Sequence, residues 1–184
     1  KEQKLPPGEL IDPNNPKHKK YVDYLHGRKI NLSDYPFLIT PNDEGRMATR
    51  IVVPYTYNNK IVGNTSRFLD DRTPKYLNVQ QPGYVFGYDL QKPNYEVCVV
   101  VEGIFDALSI NGCALTHDTI NEKQANLLRK LDRRIIVVPD LDKTGLTIID
   151  RALELGFQVS IPNWEIGIKD TNDAVRKYGK LPTL

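Results

Sequence analysis

The chain has 184 residues, 40% of them hydrophobic and 26% charged, with a formal net charge of +2. Such values exclude a disordered polyelectrolyte and a polycation, so any nucleic-acid binding must use positive charge gathered on one face. No apolar stretch approaches the ~20 residues of a membrane span, and no secretory leader is visible, so no membrane partner is expected.

Cys98 and Cys113 lack metal-ligand spacing and read as buried, reduced thiols, which fits a cytoplasmic setting. His18, His26 and His117 also lack ligand spacing, so zinc is not expected. The polar start, Lys1-Glu2-Gln3-Lys4 without Met, reads as a piece cut from a longer protein.

Residues 1–16 hold Pro6, Pro7, Gly8, Pro13 and Pro16 and read as a linker that sustains neither helix nor ladder. Tyr21, Val22, Tyr24 and Leu25 predict a short helix stopping near Gly27. Arg50–Tyr57 and Lys60–Phe68 read as two strands joined at Asn58-Asn59, and Pro74, Pro82, Gly83 and Gly87 then punctuate the chain. Residues 17–93 are therefore expected to form a small mixed, β-rich, basic subdomain.

From residue 94 to 184 the pattern alternates. Strands are expected at Glu96–Val101, Cys113–Thr116, Arg134–Pro139 and Gln158–Ile161, and helices at Ile104–Ile110, Asn121–Leu131, Gly145–Leu155 and Asn172–Tyr178. The fold class is α/β, a parallel sheet covered by helices on both faces and preceded by the β-rich subdomain.

Two of the apolar strands run directly into acids. Glu102 follows Val99-Val100-Val101, and Asp140 and Asp142 follow Ile135-Ile136-Val137-Val138. Ligands of open parallel sheets bind at the carboxyl ends of strands, where these carboxylates would converge. Convergence is costly without a counter-charge, and a hard divalent cation with oxygen ligands supplies one. Asp106 lies four residues after Glu102 on the first turn of a helix, and Lys169-Asp170-Thr171-Asn172-Asp173 adds acid near the same edge. Any one of these acids alone reads as a cap or solvated loop residue; order and spacing together point to metal-dependent phosphoryl transfer, with Glu102, Asp106, Asp140, Asp142 and Asp170 as metal ligands.

At these residues the chain resembles the Toprim domain shared by bacterial-type primases, topoisomerases and some nucleases. The resemblance lies in Val99 through Leu108, with Glu102-Gly103 and Asp106; in Val138-Pro139-Asp140-Leu141-Asp142-Lys143-Thr144-Gly145; and in Lys169 to Asp173. Upstream, Arg50-Ile51-Val52-Val53-Pro54, Val62 to Arg67 and Thr73-Pro74-Lys75-Tyr76-Leu77-Asn78 resemble the N-terminal half of the DnaG-type primase core. The ending Lys169-Asp170-Thr171-Asn172-Asp173 is similar to that of primases from T-even-like phages. Leu141 departs from the family's usual Asp-Gly-Asp, Asp118 from a usual glycine, and Asn172 from a frequent acid.

The resemblance implies RNA-primer synthesis from NTPs on single-stranded DNA, with Glu102, Asp140 and Asp142 as catalytic acids and Mg²⁺, replaceable by Mn²⁺, as cofactor. It places Arg50, Arg67 and Lys75 on a ridge that tracks template or nucleotide, with Tyr76 stacking a base and Asn78, Lys143 and Lys169 as further polar contacts. Implied partners are single-stranded DNA, NTPs, the RNA primer and a replicative helicase, the last through regions absent here. A Toprim nuclease and a single-strand-binding module with a vestigial acidic site stay open as alternatives.

Overall fold

The structure, a computed structural model, describes residues 1–42, 45–117, 119–141 and 145–180. The chain divides into two compact units, Lys1–Gln81 and Pro82–Leu184.

The first unit is an antiparallel sheet in the order β1-β2-β3-β4-β5, formed by β1 (Glu9–Leu10), β2 (Leu38–Ile39), β3 (Ile51–Tyr57), β4 (Lys60–Arg67) and β5 (Tyr76–Val79). Helix α1 (Lys19–Gly27) buries Tyr21, Val22 and Leu25. Asn58 and Asn59 both adopt positive φ, 50° and 59°. Such a two-residue turn matches the right-handed twist of a hairpin, so β3 and β4 are joined where the sequence places the turn. The proline-rich start is not a free linker. Glu9 and Leu10 pair with Ile39 and Leu38, and the Gln3 N–H donates to the Ile61 carbonyl at 2.8 Å. Buried His18 secures this strap: its Nδ1 accepts the Asp12 N–H at 3.0 Å and its Nε2 lies 3.2 Å from Glu9 Oε1. Prolines bar a long ladder here but leave Glu9 and Leu10 free to pair.

The second unit contains β6 (Val97–Val101), α2 (Ile104–Ile110), β7 (Cys113–Ala114), α3 (Glu122–Arg129), β8 (Arg134–Val137), α4 (Gly145–Glu154), β9 (Gln158–Val159) and α5 (Thr171–Tyr178). Its four described strands form a parallel sheet in the order β7-β6-β8-β9. Cys98 and Val100 from β6 join a core with Leu128 of α3 and Ile148 and Ala152 of α4. Because strand side chains alternate, Val99 and Val101 project toward the opposite face. Helix α3 opens with a capping box: the Asn121 side chain accepts the Gln124 N–H and the Gln124 side chain accepts the Asn121 N–H.

Several elements are shorter than the sequence suggests. β8 ends at Val137 because Pro139 has no N–H to donate, although the Val138 N–H still reaches the Val100 carbonyl at 2.9 Å. β7 stops at Ala114, and Thr116 then turns through a positive φ of 62°. The boundary between the units also falls after Gln81, earlier than Pro93. Phe86 bridges Ala114, and the Gln124 side chain donates to the Tyr84 carbonyl at 2.9 Å, which ties this segment to the sheet that follows.

Candidate active site

Strands β6 and β8 pair in parallel with Val100 opposite Val137, so the chain leaves both at the same edge of the second sheet. Glu102 is the first residue beyond β6, and Asp140 lies just past Val138-Pro139. Glu102 Oε1 accepts the backbone N–H of Asp140 at 3.1 Å. One carboxylate is thereby fixed against the loop that carries the other. Both side chains are partly exposed.

Asp106 is handled differently. It is buried in α2, and its Oδ1 accepts the Asn172 N–H at 2.8 Å. It clasps the start of α5 to α2. Gly103 makes room for it: a Cβ there would overlap Asp106 Oδ2. A Cβ at Gly145 would likewise overlap the Asp140 carbonyl oxygen. Both glycines of these motifs therefore have a steric reason within the acidic edge.

Asp170 is the N-cap of α5, its Oδ1 accepting the Asp173 N–H at 2.7 Å. Lys169 is exposed, and its carbonyl accepts the Leu141 N–H at 2.8 Å, which holds the loop after β8 against the segment leading to α5. Asp142 and Lys143 lie outside the described residues. Among the described residues no group of three His, Cys, Asp or Glu side chains is close enough to hold a metal ion. Mg²⁺ commonly takes only one or two carboxylates, the rest of its shell being water and phosphate oxygens. The hard oxygen donors of Glu102 and Asp140 at adjoining strand ends fit that demand.

The basic candidates belong to the first unit. Arg50 is a correction to the sequence reading, because it is not on a ridge. Its side chain is fully buried, its Nε donates to the Arg46 carbonyl, and its two terminal nitrogens donate to the carbonyls of Ser66, Lys75 and Pro74 at 3.2, 3.1 and 2.7 Å. Its guanidinium carbon sits 3.4 Å from the centre of the Phe68 ring. Burial, together with Arg72 and Arg46, holds its pKa below the usual arginine value. A guanidinium spent in this way organises backbone and has no fork left for phosphate.

Arg67 and Tyr76 stand opposite each other on β4 and β5, and the Arg67 guanidinium donates to the Tyr76 hydroxyl. The guanidinium also lies over two rings, 4.9 Å from that of Tyr76 and 5.1 Å from that of Tyr24. Burial lowers the Arg67 pKa; nearby Tyr24 opposes the shift and Arg28 adds to it. Tyr76 remains 41% exposed. Lys75 and Asn78 are exposed alongside, with Asn78 Oδ1 accepting from the Thr65 hydroxyl. The sequence marks Tyr24 only as a helix residue and Arg28 not at all, and neither as part of a basic surface. They sit four apart, Tyr24 in α1 and Arg28 just beyond its end, with the Arg28 guanidinium 5.0 Å from the Tyr24 ring. That spacing was the one sequence signal linking them.

Residues 99–175 match the family model described as Toprim-like. A DNA primase of Clostridium acetobutylicum is 31% identical over 159 residues, an alignment covering 73% of this chain and 26% of that protein. The chain therefore spans about a quarter of that relative's length. A solved DnaG catalytic core superposes with a TM-score of 0.73 at 19% identity, covering 91% of this chain and 71% of the other. A DnaG primase catalytic domain bound to single-stranded DNA superposes with a TM-score of 0.62 at 20% identity, covering 96% of this chain and 61% of the other. No helix among the described residues is long and apolar enough to cross a membrane. The chain thus carries a Toprim-like segment and is a relative of the DnaG-type DNA primases, with the fold of their catalytic core.

Proposed function

We propose that the chain is the RNA-polymerase core of a DNA primase, joining ribonucleotides on a single-stranded DNA template with release of pyrophosphate. The observation that carries the reading is the Glu102–Asp140 hydrogen bond, which ties two carboxylate-bearing segments together at the ends of adjacent parallel strands. Similarity to a catalytic domain solved with single-stranded DNA supports the template assignment. A primase-core likeness that extends over 91% of the chain, well beyond the Toprim-like segment, favours synthesis over a Toprim nuclease.

In this reading Glu102 and Asp140 hold Mg²⁺ or Mn²⁺, joined by Asp142 from the adjacent sequence. Bound there, such an ion would supply charge neutralisation for the nucleotide phosphates and activation of the primer 3′-hydroxyl. Glu102 is held in place by the Asp140 N–H, so little order has to be gained when substrate arrives. Asp106 and Asp170 act as positioning residues, fixing α5 and the Lys169 loop beside the acids. In the first unit Arg67 grips phosphate, Tyr76 stacks a base, and Lys75 and Asn78 extend the polar surface. A replicative helicase is a further proposed partner.

The test is incubation of the chain with single-stranded DNA, labelled NTPs and Mg²⁺ or Mn²⁺, followed by gel analysis. Template-dependent RNA products are expected; cleavage of the strand without NTP incorporation would replace the reading with a nuclease.

A further inference from the structure

The end of the second sheet opposite the acids is basic. Strand β8 begins there with Arg134 and β9 with Gln158. Arg129, Arg133 and Arg134 line one open cavity of about 320 Å³, with Ile135 and Phe157 in its wall and Asp132 as the lining carboxylate. Two of the guanidiniums are held by neutral groups. Arg129 donates to Asn126 Oδ1 at 2.9 Å and to the Leu155 carbonyl at 3.0 Å, and lies 5.4 Å from the Phe157 ring centre. Arg133 donates to the carbonyls of Leu131 and Lys92 at 3.2 and 2.8 Å. Arg134 is exposed as the first residue of its strand.

Elsewhere in the described structure Arg72, Arg151 and Arg176 each pair with a carboxylate. Among the described residues Arg129, Arg133 and Arg134 do not. Three guanidiniums facing one concavity repel one another, and a single carboxylate does not balance them. An anion does, and a phosphate oxygen pair matches the exposed guanidinium fork of Arg134, with Arg129 and Arg133 adding charge and their remaining N–H groups. The volume is that of a small-molecule site, and buried Ile135 and Phe157 form its floor.

We infer that this cavity is a binding site for a phosphate-bearing small molecule of nucleotide size, separate from the acidic edge. The ligand chemistry is a phosphoanion, whose source is a nucleoside triphosphate or free pyrophosphate. The inference does not depend on the primase reading, since its charge and its residues are not those of the acidic edge.

The test is calorimetric titration of the chain with ATP and with pyrophosphate in EDTA, which removes divalent metal. Wild type, Arg134→Gln, the Arg133→Gln/Arg134→Gln double variant and Asp140→Asn are compared, with amide NMR shifts recorded in parallel. Saturable binding is expected, about tenfold weaker in Arg134→Gln, weaker still in the double variant, unchanged in Asp140→Asn, and with shifts at residues 129–134 and 155–158. Tighter binding of ATP than of pyrophosphate assigns a nucleotide; equal binding assigns the phosphates alone, and both support the site. Arg134→Gln is at the surface and keeps its backbone pairing, so an unfolded variant does not blur the result. Unchanged affinity in Arg134→Gln, absence of saturation, or shifts confined to the acidic edge would overturn the inference. So would displacement of ATP by single-stranded DNA through the same arginines, which would make the cavity part of a nucleic-acid path.

Discussion

Glu102 accepts the backbone N–H of Asp140 at 3.1 Å, across the ends of two parallel strands paired one turn of ladder earlier. The carboxylate therefore has two jobs, charge and acceptor, and substitution separates them. Glu102→Gln keeps an acceptor for the Asp140 N–H and should leave the melting temperature near that of wild type while metal-dependent activity falls by at least about 10²-fold. Glu102→Ala removes both and should cost a further ~1–3 kcal/mol of stability in denaturant titration. Equal stability of the two variants would show that the hydrogen bond contributes nothing.

Asp106 is expected to act through α5. Asp106→Ala deprives the buried Asn172 N–H of its carboxylate and should cost about 1–3 kcal/mol, with faster amide exchange at the start of α5. Gly103→Ala should produce the same exchange pattern, because the added methyl would displace the Asp106 carboxylate. Protection of α5 unchanged in both variants would remove Asp106 from this role.

Arg50 and Arg67 should fail in different ways. Arg50→Met leaves several carbonyls in the first unit without their donor and should destabilise that unit by more than about 3 kcal/mol, read in urea unfolding. Arg67→Ala should cost less stability than Arg50→Met, losing a hydroxyl bond and two ring contacts, and should weaken single-stranded DNA binding, with the dependence of affinity on salt reduced by about one unit of slope. A stable Arg50→Met protein with lost DNA binding would return Arg50 to the nucleic-acid surface.

The exposed Asp70–Arg72 pair makes a prediction about acid. The Arg72 guanidinium, bonded to the carboxylate, holds the Asp70 pKa down at about 2. A depressed folded-state pKa contributes stability above the unfolded value of about 3.9 and loses it as pH falls toward the folded value. At low salt, the melting-temperature gap between wild type and Asp70→Asn should therefore be constant above pH 5, shrink between pH 4 and pH 2, and close below that. A gap that persists at pH 1.5 would mean that Asp70 acts by something other than its charge.

Much of the fold was legible because local chemistry and global topology agree. Apolar runs ending in Glu102 and Asp140 gave the buried parallel strands, and Asn58-Asn59 gave the hairpin. The start of the chain was misread because prolines signal the loss of donors, not the two positions between them that can still pair. Arg50 was misplaced for a related reason. Its neighbours in sequence look like a surface motif, but its partners are carbonyls as far away as Pro74 and Lys75, which only the folded sheet brings together. The acidic edge was legible as a set of strand-end carboxylates. The Asp106–Asn172 hydrogen bond was not, since spacing fixes the face of a helix and not a partner 66 residues away.

Catalysis at the acidic edge is read most sharply with Asp140→Asn in template-directed synthesis, with single-stranded DNA affinity measured on the same preparation. Mg²⁺- or Mn²⁺-dependent incorporation of NTPs is expected to fall by at least about 10²-fold while DNA affinity and the melting temperature stay close to wild type. Incorporation that survives Asp140→Asn at every metal concentration would contradict catalysis at this edge.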